Sequence, residues 1–209
     1  MKTIVFGATG TIGKQTVETL LQAGHEVTAF ARRPEKLALD HPKLSLHSGD
    51  ALDTASVAEA IKGHEAVIVT LGAGMSRKSV VRSQGTLNVI NGMQAHGVTR
   101  LICQSTLGAH ESWANLNFFW KRIMFGGLLR KVFQDHELQE KLVSASGLDW
   151  TIVRPSAFAD GPVTDAYKEG FGADERGLTL KINRADIAAF LARQLQDMRY
   201  LGRAVAISN

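Results

Sequence analysis

Lys2-Thr-Ile-Val-Phe-Gly-Ala-Thr-Gly-Thr-Ile-Gly13 is a short apolar run followed by a turn that contains three glycines. The run is typical of a buried strand, and a stretch whose apolar residues have helical spacing begins directly after the turn. In a strand–turn–helix unit, such glycines let the backbone bend sharply and approach a pyrophosphate, and the last one lets the helix pack on the strand. The glycines are three residues apart, which differs from the dehydrogenase fingerprint G-x-G-x-x-G. Their context still predicts a dinucleotide site, and the alternative is a structural turn with no ligand.

The second predicted strand, Glu26 to Ala31, ends in basic residues. An NAD-preferring site usually has Asp or Glu at this point, where the carboxylate accepts hydrogen bonds from the adenosine ribose. Here Arg32 and Arg33 follow the strand and Lys36 comes shortly after. A guanidinium can bind a 2′-phosphate through paired charge-assisted hydrogen bonds, so these residues predict NADP(H) as the cofactor. A solvated basic strand end is the alternative.

The third predicted strand is followed by Asp50 and Ala51. An Asp in this place can bond the adenine amino group while the next apolar residue covers the ring, but Asp50 or Asp53 could instead cap the following helix. The fourth strand, 65–71, is almost entirely apolar, as expected of a central parallel strand. It leads into Gly72-Ala-Gly74, a second turn of small residues at which the backbone can approach a cofactor.

Strands and helices alternate five times along the chain, which predicts a doubly wound, mostly parallel α/β sheet in one domain, 1–209. Ligands then bind at the carboxyl ends of the strands. We expect helices over 80–96, 134–146 and 184–198, and Val80 and Leu138 among their core residues. The stretch 156–177, rich in glycine and small residues, is predicted to be a loop and a candidate substrate lid.

An aromatic-rich segment interrupts the alternation after Ser105. Residues 110–133 hold six of the aromatic side chains and two basic pairs. Three interpretations stay open: a helix packed on the core, an aromatic wall for a flat substrate or a subunit interface, and a basic amphipathic segment on a membrane. The parts of the chain near 106–133 and 156–180 are therefore the expected substrate side.

Composition excludes several classes of protein. The net charge is +4, but lysines and arginines are spread along the 209 residues, which argues against nucleic acid as the partner. No apolar stretch is long enough for a membrane span, and no signal peptide is recognised. The single cysteine, Cys103, fits a reducing compartment, so we expect a cytoplasmic monomer or homodimer that acts on a small molecule. The histidines lack the spacing of metal ligands, so no metal is predicted.

Several motifs resemble those of the atypical short-chain dehydrogenase/reductases, in particular the NmrA-like branch and, within it, the flavin reductase/biliverdin-IXβ reductase type. The motifs are Gly7 to Gly13, Gly49-Asp50, Val67 to Gly72, Cys103-Gln-Ser105, Lys141 before Ser146-Gly-Leu148, Arg154-Pro155-Ser156 and Val163 to Tyr167. The resemblance extends over nearly the whole chain. The glycine motif is specific to the superfamily, while the reductase type rests on many weaker matches.

The resemblance implies roles for individual residues. The pyrophosphate positions are Gly7, Thr9, Gly10, Thr11, Ile12 and Gly13. Arg32 would hold the 2′-phosphate, Asp50 and Ala51 the adenine, and Leu71 and Gly72 the middle of the cofactor. Ser105 would lie beside the nicotinamide, and Pro155 and Ser156 are also expected at the cofactor. His136 would lie near the cofactor as a phosphate or ribose contact, and the alternative is a histidine on the helix surface. A second active-site histidine of the biliverdin-reducing members is replaced here by Ser156, which argues against biliverdin as the specific substrate.

The residues for ordinary carbonyl reduction are incomplete. Short-chain dehydrogenases use Tyr-x-x-x-Lys, but Lys141 is preceded at that spacing by Glu137, and neither Tyr167 nor Tyr200 is followed by such a lysine. A developing alkoxide would lack its acid. A conjugated acceptor delocalises the charge, so that reduction mainly requires two rings at short range. Ser105 and Lys141 are the predicted catalytic residues.

The sequence thus favours an NADPH-dependent reductase of a flat conjugated acceptor such as a flavin, quinone or tetrapyrrole-like molecule. The first alternative is a catalytically weak NADP(H)-sensing regulator of the NmrA type. A nucleotide-sugar epimerase is less favoured because it would also need the Tyr–Lys pair. Each predicted catalytic residue has a structural alternative: a strand-end hydrogen bond for Ser105, and a solvated helix position for Lys141.

Overall fold

The predicted alternation of strands and helices is present in the computed structural model, which describes residues 1–73 and 80–209. Gly74 of the expected second turn lies outside the described residues. The α-helices are α1 (Thr11–Gln22), α2 (Thr54–Ile61), α3 (Val81–His96), α4 (Arg130–Ser144) and α5 (Arg184–Arg193). The strands are β1 (Lys2–Phe6), β2 (Glu26–Ala31), β3 (Leu44–Ser48), β4 (Ala66–Val69), β5 (Arg100–Gln104), β6 (Asp149–Pro155), β7 (Ala157–Ala159), β8 (Lys168–Glu169), β9 (Lys181–Asn183) and β10 (Arg203–Ser208).

Eight strands form one sheet in the order β3-β2-β1-β4-β5-β6-β10-β8. All neighbours are parallel except β10 and the edge strand β8. The chain proceeds from β1 to β3 in one direction and then returns to build the other half from β4, so the order reverses between β1 and β4. In an open α/β sheet, the crevice at such a reversal is where ligands bind. The α/β fold predicted from the sequence is confirmed.

Helices cover both faces of this sheet. Along β1, Val5 faces the core beneath α1 and α5, whereas Ile4 and Phe6 face the core beneath α2, α3 and α4. This two-residue alternation explains why every residue of the strand after the first is buried, and why all of them but Thr3 are apolar. The two layers hold the carboxyl ends of the central strands at a common edge.

Local signals explain where several helices begin and end. Gly24 adopts a φ of +83° directly after α1, as a glycine in a C-terminal cap does. Asp53 accepts hydrogen bonds from the amides of Ala55 (3.0 Å) and Ser56 (3.3 Å), so Asp53 caps α2. Asn183 is the residue before α5 and is of a type that often caps helices, but its side-chain amide donates to the carbonyl of Pro162 (3.1 Å) instead of capping the helix.

Some expectations were wrong in detail. Val80 lies just before α3 with 57% of its surface exposed, and Leu138 on α4 is 49% exposed, so neither is a core residue. The helix expected over 134–146 begins earlier, at Arg130, and the one expected over 184–198 already ends at Arg193. The expected loop 156–177 contains β7, which pairs with β9, and β8, which extends the main sheet.

The aromatic segment divides between the interior and the surface. It forms a 3-10 helix, His110–Asn115, and a π-helix, Phe119–Leu128. Phe125 and Phe133 stack at 4.7 Å in a third apolar cluster that also contains Leu107, Leu116, Leu180 and Ala206. Phe118 is 73% exposed. Within the described ranges, no helix is both long and apolar enough to cross a membrane.

Candidate functional site

A cleft of about 750 Å³ lies at the carboxyl edge of the sheet, beside the reversal between β1 and β4. Residues that follow β1, β2, β3, β4 and β5 all contribute to its wall, together with residues of α1, α3 and α4. The part of the chain that the structure describes contains no group of three His, Cys, Asp or Glu side chains able to hold a metal ion.

The glycine turn forms one wall of the cleft. Gly7, Thr9, Gly10, Thr11 and Ile12 line it. The first turn of α1 has no side-chain cap and no acidic residue, so its free amide groups and the positive end of the helix dipole remain available to an anion.

Two of the glycines are required for packing. Gly7 has a φ of +83°, and a β-carbon there would lie 2.6 Å from the carbonyl oxygen of Thr70. A β-carbon on Gly13 would overlap the carbonyl oxygen of Gly7 and lie 2.8 Å from Thr70 Oγ1. Gly13 does not line the cleft itself. It lets α1 pack closely on the end of β1, and this close packing sets the position of the helix N-terminus.

A basic side chain and an acidic side chain mark the end of the cleft next to β2 and β3. Arg32 lines the cleft, is exposed, and forms no salt bridge with any described carboxylate. Asp50 and Ala51 line it as well, and Asp50 Oδ1 accepts from the amide of Leu52 at 3.0 Å. Arg33 and Lys36 are exposed but are not part of the wall.

The opposite end of the cleft is formed by residues from β5 and α4. Ser105 follows β5 and its amide donates to the carbonyl of Val153 at 2.7 Å. Its hydroxyl oxygen is buried at the cleft and has no hydrogen-bond partner within the described residues. Gln104 Oε1 is in the same situation. Buried polar atoms are normally paired, so two unpaired ones at one end of a cleft fit a polar ligand there.

His136 also lines the cleft, together with Gln104 and Ser105, and its imidazole is neutral. Gln139 Nε2 donates to Thr86 Oγ1 (2.9 Å), which turns Gln139 Oε1 toward His136 Nδ1 (3.3 Å). In this arrangement Nδ1 carries the proton and Nε2 is an acceptor. Burial, and then the nearby charge of Arg82, lower the pKa of His136 to about 3, although the bond to Gln139 opposes the shift. His136 can therefore accept a hydrogen bond at neutral pH, but it is not an acid.

Arg82 is a cleft residue that sequence analysis missed. Its side chain, near the start of α3, is only 12% exposed, and Nη1 lies 3.8 Å from Asp135 Oδ2 on α4. Burial lowers the pKa of Arg82, and the carboxylate of Asp135 counteracts this. An arginine in a first helical turn gives no signal in the sequence, because only the packing of α3 on α4 buries it. Phe158 of β7 also lines the cleft and was not expected there.

Several expected site residues are not brought to the cleft. Lys141 is exposed, because five residues after His136 an α-helix has turned its side chains about 140° away from the cleft. Pro155 and Ser156 are buried at the end of β6 without lining the cleft. Phe158 is the one lining residue from 156–180, and no residue of 106–133 lines the cleft.

Both tyrosines of the chain are remote from the cleft wall. Tyr167 packs edge-on against Phe190 at 6.1 Å, and the Tyr200 hydroxyl donates to Glu169 Oε1 at 3.2 Å. Neither side chain lines the cleft. The geometry thus agrees with the sequence in offering no tyrosine as a proton donor.

An open parallel sheet with a glycine turn and a cleft at its reversal point defines a dinucleotide-binding protein of the Rossmann type. Residues 7–198 match a family model described as NAD(P)H-binding. The chain belongs to this NAD(P)H-binding family of oxidoreductases, and its resemblance to NmrA-like short-chain dehydrogenase/reductases is confirmed.

Several known proteins are similar to almost the whole chain, in sequence or in structure. The uncharacterized sugar epimerase YhfK of Bacillus subtilis is 28% identical over 98% of this chain and 92% of its own length. The solved structure of ChuY, an anaerobillin reductase from Escherichia coli, is 25% identical, with a TM-score of 0.80 over 99% of this chain and 96% of ChuY. A short-chain dehydrogenase/reductase from Veillonella parvula in complex with NADP is 16% identical, with a TM-score of 0.83 over 100% of this chain and 94% of that one.

Other relatives are considerably longer. A 3-beta-hydroxysteroid dehydrogenase of Mycolicibacterium neoaurum is 35% identical over 48% of this chain, and the match spans 31% of that enzyme.

Proposed function

We propose that the protein is an NADPH-dependent reductase that transfers hydride to a flat conjugated acceptor, such as a flavin, a quinone or a tetrapyrrole-like molecule. The observation that carries the proposal is the absence of both tyrosines from the cleft, together with a neutral His136. A simple carbonyl would need an acid for its alkoxide, whereas a conjugated acceptor delocalises the charge and can take its proton from water. ChuY, named as a reductase, supports the same class of reaction.

The residues of the cleft fit a dinucleotide in an extended position. The free amides at the start of α1 suit the pyrophosphate, and Asp50 with Ala51 suits the adenine. The unpaired Ser105 hydroxyl suits the nicotinamide end, where Nε2 of His136 can accept from a hydroxyl or amide. The bound cofactor supplies the hydride. Ser105 orients the reacting rings. Lys141 is exposed to solvent, so we assign it no catalytic role.

The preference for NADPH over NADH is assigned to Arg32. Its guanidinium is free of salt bridges to the described carboxylates, and no Asp or Glu ends β2 to receive ribose hydroxyls. A 2′-phosphate would give it a charge-assisted, bidentate partner. The single buried thiol, Cys103, fits a reducing compartment, so we place the reductase in the cytoplasm.

The first experiment measures NADPH oxidation with FMN, riboflavin, a quinone and biliverdin as acceptors. Arg32→Gln is expected to weaken NADPH binding about 10-fold to 100-fold, the loss of one or two charge-assisted hydrogen bonds, and to leave NADH binding within about twofold. Arg33→Gln is the matched control, because this neighbouring arginine does not line the cleft. No turnover with any acceptor would refute the reductase, and an unchanged NADPH preference in Arg32→Gln would refute the assignment of the 2′-phosphate.

An NADP(H)-sensing regulator is the second candidate, favoured by the same missing tyrosine. It predicts similar, tight binding of NADP⁺ and NADPH, no turnover, and a co-purifying protein partner. A nucleotide-sugar epimerase is less favoured, although YhfK is named a sugar epimerase. Its transient oxidation of a hydroxyl would need a base, and the cleft has no tyrosine to act as one.

A further inference from the structure

We propose that Arg82 binds an anionic group of the acceptor, so that the reductase selects flat acceptors that carry a phosphate, carboxylate or sulfonate. This inference rests on the proposed reductase function and names the substrate class. Its first support is the position of Arg82, whose side chain is largely buried yet forms part of the cleft wall. Burying a cation is costly unless it is paired and hydrogen-bonded. A buried guanidinium whose hydrogen bonds are incomplete within the protein is therefore suited to binding an anion.

Asp135 pairs Arg82 incompletely. Its two carboxylate oxygens accept from the amide of Arg82 (3.2 Å), the amide of Ser83 (3.1 Å) and the hydroxyl of Ser83 (2.5 Å). The guanidinium is left at 3.8 Å, beyond hydrogen-bond distance. Its Nε and Nη1 atoms are buried and have no hydrogen-bond partner within residues 1–73 and 80–209. Arg82 therefore retains donors that an incoming anion can satisfy.

Arg154 shows what a fully paired guanidinium looks like in the same fold. Its side chain is 5% exposed, comparable to that of Arg82. Its Nε donates to both oxygens of Glu140 (3.0 and 3.2 Å), its Nη2 to Glu140 Oε2 (2.7 Å), and its Nη1 to Glu111. Arg154 has the hydrogen bonds of a structural ion pair, and Arg82 does not. This contrast points to a ligand rather than to fold stability as the role of Arg82.

The anion is assigned to the acceptor because the cofactor phosphates have other partners. The start of α1 suits the pyrophosphate, and Arg32 suits the 2′-phosphate. Arg82 instead lies near His136, whose pKa its charge depresses. His136 is neutral, so Arg82 is the one charged side chain at this end of the described cleft wall. An acceptor with a negative group would meet a positive charge whose partner, Asp135, does not line the cleft and forms no hydrogen bond to the guanidinium.

FMN and riboflavin form a matched pair of probes, since they share the ring system and differ by a phosphate. Wild-type protein is expected to show a higher kcat/KM with FMN. Arg82→Met is expected to lower kcat/KM for FMN about 10-fold to 100-fold, the loss of a charge-assisted hydrogen bond, and to change riboflavin turnover and NADPH affinity by about twofold or less. Circular dichroism checks the fold. If Arg82→Met does not fold, Arg82→Gln takes its place, and the wild-type preference for FMN remains a test that needs no variant.

Three results would overturn the inference. Equal kcat/KM for FMN and riboflavin in the wild type would remove the anion preference. A loss of NADPH affinity in Arg82→Met, with equal losses for both flavins, would assign the anion to the cofactor pyrophosphate. If the wild type reduces none of the acceptors, the proposed function fails, and if it reduces neither flavin, a binding measurement tests the inference separately. Flavin fluorescence with the NADP⁺-loaded protein then either shows tighter binding of FMN than of riboflavin, or shows no difference and refutes the role of Arg82.

Discussion

Replacing His136 by glutamine is expected to remove a large part of the loss of stability between pH 7.5 and pH 5. In the folded state its pKa is lowered to about 3, whereas a free histidine has a pKa of 6.5. As the pH falls below 6.5, His136 becomes protonated in the unfolded chain but stays neutral in the folded protein. Unfolding therefore becomes more favourable. At pH 5 this single group destabilises the fold by about 2 kcal/mol relative to pH 7.5.

Urea unfolding at the two pH values, followed by circular dichroism, measures this contribution. The loss of unfolding free energy between pH 7.5 and pH 5 is expected to be about 2 kcal/mol smaller in His136→Gln than in the wild type. The difference between pH values cancels any packing change that the substitution causes. His96→Gln serves as the control, because His96 is exposed at the end of α3. An equal loss in His136→Gln and the wild type would refute the account of a buried, neutral histidine.

Three further predictions concern stability. Gly13→Ala should fail to yield a stably folded protein, because the new β-carbon overlaps the carbonyl oxygen of Gly7; the yield of soluble protein and thermal melting check this. Asp53→Ala should cost about 1 kcal/mol in urea unfolding, the loss of the cap of α2, and an unchanged midpoint would contradict the capping role. Phe125→Ala should cost about 3–5 kcal/mol, since the ring is buried against Phe133, and a loss below about 1 kcal/mol would show that the third apolar cluster is dispensable.

The sequence predicted the fold well because most of its signals are local. A strand buried on both faces is mostly apolar, as in β1 and β4, and a glycine just beyond a helix marks its end, as Gly24 does. Helix ends were less reliable where no such residue is present. Nothing in the sequence after Arg193 stops α5, and the helical periodicity continues to Met198. The exposure of Val80 and Leu138 depends on which neighbour covers each surface, which one sequence does not specify.

The candidate site was predictable where its residues follow strands. Arg32, Asp50, Leu71 and Ser105 all lie within two residues of the end of a parallel strand, and topology brings these positions to one edge. Residues on helices are harder to place, because a shift of one residue turns a side chain by 100°. His136 reached the cleft and Lys141 did not, although both lie on α4.

Arg82 could not be predicted from the sequence because its environment depends on a contact between two helices. Its partner Asp135 is 53 residues away along the chain, so the pair exists, and Arg82 is buried, only once α3 packs on α4. The same packing fixes Gln139 on Thr86 and thereby the acceptor state of His136. At this end of the cleft, the described residues thus provide a fixed positive charge and a hydrogen-bond acceptor, without an acid that titrates near neutral pH. The positive charge suits an anionic group carried by the acceptor, and neither Arg82 nor the neutral His136 supplies a proton to an alkoxide. Such a site is suited to an acceptor that delocalises its charge and poorly suited to an isolated carbonyl.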